Sequence, residues 1–128
     1  MVRNMQSWSI IILCYNEEGS VYKVLDDVAK TLSEMKVQDY EILVINDGST
    51  DNSIEEVNRF IQKSDKAKII EHATNLGIGQ VLLTGYKYAT KENVIGIAAD
   101  GQFKLLDLIP YANFPQKSFL SFYRKEKN

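Results

Sequence analysis

The chain has 128 residues, of which 45% are apolar and 25% charged, a composition typical of one globular domain that excludes an intrinsically disordered chain. Its 15 basic and 17 acidic side chains leave a formal net charge of −2, without the basic excess that nucleic-acid-binding proteins usually show. The longest apolar run, Ile10 to Tyr15, is too short to cross a bilayer. A lone cysteine, Cys14, excludes an intrachain disulfide and favours the reducing cytoplasm.

Four short apolar runs predict buried β-strands. They are Trp8–Cys14, Tyr40–Asn46, Lys68–Glu71 and Val94–Ala99. The first, second and fourth runs are almost continuously apolar, which is typical of parallel strands that are covered on both faces.

Apolar residues at helical spacing predict one helix between each pair of consecutive strands. The stripes run from Val21 to Met35, from Ile54 to Ile61 and from Val81 to Ala89, and Ser20 is the expected N-cap of the first helix. The alternation of strands and helices predicts an α/β fold with a doubly wound, parallel sheet.

The pattern is weaker after Asp100. Residues Leu105–Ala112 predict a short helix, and Phe119–Tyr123 predict one more strand. The polar residues that follow are expected to be frayed.

Acidic side chains follow three of the four predicted strands. Tyr15 and Glu17 come directly after the first strand, Asp47 after the second and Asp100 after the fourth. Ligands of open α/β sheets bind beyond the carboxyl ends of the strands, so these side chains are expected at one edge. Carboxylates gathered there repel each other, and a divalent cation with oxygen ligands is a natural partner for them.

Other phosphate-binding and catalytic patterns do not fit. The chain has no G-x-x-x-x-G-K-[ST] run, and Gly77, Gly79 and Gly85 lack the G-x-G-x-x-G spacing of dinucleotide-binding folds. A phospho-receiver domain would need an aspartate where Glu71 and His72 stand. A single histidine gives no support to a catalytic triad, so His72 is expected to be structural or exposed.

Four motifs carry a family resemblance: YNEE, VINDGSTDNS, NLGIGQVLLTGYKYA and AADGQF. In this order and spacing they resemble the family 2 glycosyltransferases of the GT-A fold, most closely the polyprenyl-phosphate sugar synthases such as dolichyl-phosphate mannose synthase. The resemblance covers roughly residues 8–124. It implies a GT-A-type, Rossmann-like, mostly parallel sheet, with residues 1–128 as a single nucleotide-sugar-binding, N-terminal part of the domain.

The resemblance also implies roles for individual residues. Tyr15 and Glu17 match a loop that contacts the base and ribose of the nucleotide, and Asp47 matches an aspartate that hydrogen-bonds the base. Asp100 matches the last aspartate of the D-x-D motif, which holds a metal ion on the donor diphosphate. Gln102 matches a glutamine that completes the coordination of Mg²⁺ or Mn²⁺. No catalytic residue is identified.

The sequence departs from the family pattern at three motif positions and at its end. Ala98 replaces the first aspartate of D-x-D, Asn46 stands where an aspartate is common, and Leu13 where a proline is common. The sequence ends near Tyr123, about where the resemblance places an acceptor-binding half. The chain is therefore expected to be truncated after the D-x-D-like motif and to act as the donor-binding half.

Simpler roles remain open for several of these residues. Asp47 and Asp100 each precede a glycine, and Asp-Gly is an ordinary turn signal. Asp51 equally fits the N-cap of the second helix.

The resulting hypothesis is a metal-dependent glycosyltransferase. It would transfer a sugar from a UDP- or GDP-linked donor to a polyprenyl phosphate or a saccharide in cell-wall or glycan biosynthesis, at the cytoplasmic face of a membrane in the full-length protein. No nucleic acid and no membrane span in this chain are expected, and exposed aromatic residues near the end would favour a homo-oligomer. The alternative is a non-catalytic nucleotide-binding or interaction module. A nucleotidyltransferase is disfavoured because the loop YNEEGS is acidic.

Overall fold

The computed structural model describes residues 7–105 and 119–121, in which strands and helices alternate as far as the fourth strand. The elements are β1 (Trp8–Cys14), α1 (Val21–Glu34), β2 (Tyr40–Asp47), α2 (Ser53–Ile61), β3 (Ala67–His72), α3 (Ile78–Tyr88), β4 (Asn93–Ala98) and β5 (Phe119–Ser121).

The described strands form one sheet in the order β3-β2-β1-β4-β5, and every neighbouring pair is parallel. Strand β1 lies at the centre, where Trp8 is opposite Tyr40 of β2 on one side and Asn93 of β4 on the other. The chain builds the sheet outward from β1 through β2 to β3 and then crosses to β4. This reversal creates a topological switch point beside the carboxyl end of β1, the place where ligands of such sheets bind.

Both faces of the sheet are covered. Ile10 and Ile12 of β1 pack into a core cluster with α1 and α2, whereas Ile11 packs on the opposite face with Val81 of α3. All three isoleucines are fully buried. The nearly continuous apolar character of β1 is explained by these two cores, because alternate side chains of a strand point to opposite faces.

The predicted strands are close to the observed ones. The predicted β1 matches residue for residue, β2 extends one residue further to Asp47, and β4 begins at Asn93 and ends at Ala98. Strand β3 is longer than predicted at both ends, because its pairing with β2 continues through Ala67 and His72.

The position of the predicted N-cap Ser20 is confirmed, but the hydrogen bond predicted for its hydroxyl is wrong. Ser20 occupies the N-cap position of α1, but its hydroxyl does not accept a hydrogen bond from a backbone N–H. It donates instead to the carbonyl oxygen of Ala99 at 2.7 Å and lies 3.2 Å from Oε1 of Glu17. Ser20 therefore joins the start of α1 to the end of β4.

The structure describes only part of the two elements that were predicted after Asp100. In the predicted helix Leu105–Ala112, Leu105 is described and buried, and the other residues lie outside the described part. The predicted last strand appears as Phe119–Ser121, and the rest of its range is not described. Among the helices of the described ranges, none combines the length and apolar character that crossing a bilayer requires.

Candidate functional site

A cleft of about 420 Å³ opens at the carboxyl edge of the sheet, beside the switch point. Its lining includes all of the predicted nucleotide-binding residues, namely Tyr15, Glu17, Asp47 and Asp100. They reach it from the ends of β1, β2 and β4, because parallel strands end at the same edge. Gln102 is exposed and is not one of the lining residues.

Asp47 is the most enclosed of these acidic residues, with 3% of its surface exposed. Its Oδ1 accepts a hydrogen bond from the backbone N–H of Leu76 at 2.9 Å, and its Oδ2 accepts one from Gly77 at 2.9 Å. Nδ1 of His72 lies 2.7 Å from Oδ1. Burial acts to raise the pKa of Asp47, but these hydrogen bonds outweigh it and hold the pKa below its ordinary value. Asp47 is therefore a buried, ionised acceptor.

His72 is held between two polar side chains. Its Nε2 lies 2.8 Å from the hydroxyl oxygen of Thr84 on α3, while its Nδ1 faces Asp47. An ionised carboxylate can only accept, so Nδ1 must carry a proton, and the threonine hydroxyl can donate to Nε2 when the ring is neutral. His72 was expected to be structural or exposed; its side chain is 9% exposed, and its contact with Asp47 was not predicted. The available signal was its position at the end of the strand after the D-G-S-T-D motif.

The loop that carries Tyr15 and Glu17 is tied to the start of α2. The backbone N–H of Glu17 donates to Oγ of Ser53 at 2.8 Å, and the N–H of Glu18 donates to Oδ2 of Asp51 at 3.2 Å. In return, Oε1 of Glu18 accepts from the N–H of Asn52 at 2.8 Å. These bonds hold the loop after β1 against the loop after β2, and the sequence offered no direct signal of this pairing.

Asp51 has the cap-like role that its position allowed. Its Oδ1 accepts from the backbone N–H of Ser53 at 2.9 Å and from the Ser53 hydroxyl at 2.6 Å, although Asn52 is the formal N-cap. Burial acts to raise the pKa of Asp51, but its hydrogen bonds lower it by more. These contacts account for Asp51 without a ligand.

Gly48 brings the loop after β2 against the loop after β3. Its φ of +76° lies in the left-handed region, and a Cβ built there would be 2.6 Å from the backbone N of Asn75 and 2.6 Å from the carbonyl carbon of Thr74. Only glycine allows so close an approach in this conformation. The Asp-Gly pair thus makes a turn and also places Asp47 beside the N–H groups that bind it.

Asp100 differs from Asp47 in its exposure to solvent. Its Oδ1 accepts from the backbone N–H of Gln102 at 2.8 Å. Within residues 7–105 and 119–121, no three His, Cys, Asp or Glu side chains are grouped closely enough to hold a metal ion. A divalent ion at Asp100 would fit only with most of its ligands from a diphosphate and water, which is how Mg²⁺ commonly binds.

Two solved structures with a similar fold contain nucleoside diphosphate sugars. The mannosyltransferase PcManGT from Pyrobaculum calidifontis, in complex with GDP-Man and Mn²⁺, superposes with a TM-score of 0.63 at 25% identity, covering 73% of this chain and 27% of that one. TarS from S. aureus, in complex with UDP-GlcNAc, gives a TM-score of 0.67 at 27% identity, covering 84% and 30% of the two chains. These likenesses confirm the predicted GT-A-type α/β fold.

Sequence comparisons agree with the structural ones. Human dolichyl-phosphate beta-glucosyltransferase is 29% identical over 106 residues, which cover 78% of this chain and 33% of the human protein. The chain spans about a third of the length of the curated relatives it matches. The model of glycosyl transferase family 2 matches residues 9–122, nearly the whole sequence. The chain belongs to glycosyl transferase family 2.

Proposed function

We propose that this chain supplies the donor-binding part of a glycosyltransferase that takes a sugar from a nucleoside diphosphate sugar. The observation that carries the proposal is the single cleft lined by Tyr15, Glu17, Asp47 and Asp100. Family membership and neighbours that hold GDP-Man or UDP-GlcNAc support it. The proposed acceptor is a polyprenyl phosphate or a saccharide hydroxyl, and with a polyprenyl phosphate the reaction would take place at the cytoplasmic face of a membrane.

The two aspartates suit different parts of the donor. Asp47 is buried and already accepts from two backbone N–H groups, so it suits the N–H of a nucleobase better than a hydrated cation. Asp100 is exposed, so it suits a cation that also binds the diphosphate. Tyr15 and Glu17 lie on the loop after β1 and would contact the base and ribose.

The proposed cofactor is Mg²⁺ or Mn²⁺, held by Asp100 with Gln102 as an additional oxygen ligand. When bound, such an ion stabilises the negative charge that develops on the diphosphate leaving group. A cation is required on electrostatic grounds, because the cleft already carries Glu17, Asp47 and Asp100 and its ligand is an anion.

The proposal is tested by titration calorimetry of the chain with UDP and with GDP in the presence of Mn²⁺. Removing a charged hydrogen bond to a ligand costs about 1.5–3 kcal/mol, so Asp47→Ala should weaken nucleotide binding by roughly tenfold to a hundredfold. Asp65→Ala is the matched control, because Asp65 is exposed at the opposite edge of the sheet, just before β3. Unchanged affinity in a folded Asp47→Ala variant would remove Asp47 from the site.

A binding module without transferase activity would use the same cleft. The two functions are separated by assays of sugar transfer to a polyprenyl phosphate and to a saccharide, run on this chain and on a longer protein that contains it. Binding without transfer by both proteins would favour the module. Transfer by either one would establish the enzyme.

A further inference from the structure

The structural neighbours contain two different nucleobases, guanine in GDP-Man and uracil in UDP-GlcNAc. From the hydrogen bonds of Asp47, we infer that this cleft selects uracil over guanine. The inference rests on the proposed function, since it takes Asp47 as the group that meets the base. It adds the identity of the base, which the sequence motifs leave open.

The carboxylate of Asp47 has few acceptor positions left. An ionised carboxylate has about four, two on each oxygen. Oδ1 meets Nδ1 of His72 at 2.7 Å and the N–H of Leu76 at 2.9 Å, so both of its positions are filled. Oδ2 meets the N–H of Gly77 at 2.9 Å, which leaves one position on this oxygen. A ligand can therefore place one N–H on Asp47.

The three groups that donate to Asp47 are held in place by their own surroundings. The His72 side chain is 9% exposed and its other ring nitrogen meets Thr84 on α3. The N–H groups of Leu76 and Gly77 are fixed by the entry into α3, where Gly77 has a φ of +98° and the carbonyl of Gly77 accepts from Val81. None of these donors can turn away to release a second acceptor without disturbing α3.

Uracil and guanine differ in the donors that they present to a carboxylate. Guanine offers N1–H and the N2 amino group side by side, a pair that fits both oxygens of one carboxylate. Uracil offers a single N3–H. Guanine at Asp47 would leave one of its two donors without a partner on this buried carboxylate, a loss equivalent to about tenfold to a hundredfold in affinity. The unpaired donor thus works against guanine and not against uracil.

Cytosine is disfavoured for a different reason. Its ring nitrogen N3 is an acceptor at neutral pH, and it stands where uracil carries N3–H. The adjacent N4 amino group of cytosine could donate one N–H to Oδ2, but N3 would then lie beside the ionised carboxylate with no proton between them, which weakens the contact relative to uracil. The preferred ligand is therefore a uridine diphosphate sugar.

The test is calorimetric titration of the 128-residue chain with UDP, GDP and CDP, each with Mn²⁺. We expect UDP to bind about tenfold or more tightly than GDP and CDP. Equal or tighter binding of GDP or CDP would overturn the inference and leave the proposed function standing. Absence of binding by all three nucleotides would overturn the proposed function itself.

Two variants of His72 test the cause of the preference. His72→Leu removes one donor from Oδ1 and should narrow the ratio of UDP to GDP affinity by at least about threefold. His72→Asn retains an N–H donor near the Nδ1 position and should keep the ratio close to that of the unmodified chain. Thermal melts identify any variant that does not fold, and the UDP-to-GDP ratio of the unmodified chain decides the inference in that case. An unchanged ratio in a folded His72→Leu variant would contradict the role of the filled Oδ1.

Discussion

Asp47 and His72 are opposite each other in the last register position of the parallel ladder between β2 and β3, and Nδ1 of His72 lies 2.7 Å from Oδ1 of Asp47. The contact is therefore set by the sheet itself. A shift of one residue in the register would separate the pair and move alternate side chains to the other face. The geometry of this carboxylate thus depends on the β2–β3 pairing as well as on the nearby loops.

Ser53 is predicted to stabilise both the fold and the site. Its hydroxyl is buried, accepts from the N–H of Glu17 and donates to Asp51. Ser53→Ala leaves the Glu17 N–H without this partner, so it should lower the free energy of unfolding by about 1–3 kcal/mol. It should also weaken nucleotide binding, because the loop with Tyr15 and Glu17 loses its attachment to α2. Urea denaturation and calorimetry measure the two effects.

The control for this change is Ser33→Ala, at an exposed position of α1. Alanine is the better helix former there, so stability should change by less than about 0.5 kcal/mol. If Ser53→Ala changed the free energy of unfolding as little as Ser33→Ala does, the hydrogen bond to Glu17 would contribute nothing to the stability of the fold.

Gly48 is predicted to tolerate no side chain. Gly48→Ala combines a left-handed φ of +76° with a Cβ only 2.6 Å from the backbone of Asn75. The conformational cost alone is about 1–2 kcal/mol, and the backbone contact adds to it. The melting temperature should fall by roughly 5–10 °C in a calorimetric scan.

Gly19→Ala is the matched control, since a Cβ at Gly19 would meet no atom within 4 Å. Its melting temperature should stay within about 2 °C of the unmodified chain. Equal losses in both variants would show that the approach of Gly48 to Asn75 is not tight in solution.

Local sequence patterns predicted the elements and the edge where acidic residues gather, but not the contacts between loops. Strand β1 was predictable to the residue because it is buried on both faces and reads as one apolar run. The partners of Ser53 and His72 were not predictable, since they depend on which strands are neighbours. The pairing of β3 with β2 brings His72 to Asp47, and hydrophobic periodicity within one segment contains no information about strand order. The error in the predicted hydrogen bond of Ser20 has the same origin, because the observed acceptor, the carbonyl oxygen of Ala99, follows the distant strand β4.

Acid is predicted to destabilise the chain through its hydrogen-bonded carboxylates. The pKa of Asp47 and that of Asp51 lie below the ordinary value of 3.8, because hydrogen bonds to the ionised forms outweigh burial. Their contribution to stability is fully present above pH 3.8 and is lost as the pH falls through the lowered values. The urea midpoint should therefore be flat near neutral pH and fall steeply below about pH 4.

The variant Asp51→Asn isolates one of these two contributions. It should be less stable than the unmodified chain at pH 7 and should lose less stability on acidification, because one titrating group is gone. The difference between the two proteins should shrink as the pH falls below 3.8. A constant difference from pH 7 down to the acid transition would show that the pKa of Asp51 is not lowered by folding.

Removal of the metal is predicted to weaken nucleotide binding through Asp100. In the exposed, acidic cleft a diphosphate is repelled by carboxylates unless a cation lies between them, so EDTA should reduce the affinity for UDP by about tenfold or more. Asp100→Asn should bind UDP with Mn²⁺ no better than the unmodified chain does in EDTA, whereas Asp65→Asn, remote from the cleft, should retain the full effect of Mn²⁺. A full response to Mn²⁺ in Asp100→Asn would exclude Asp100 as the ligand.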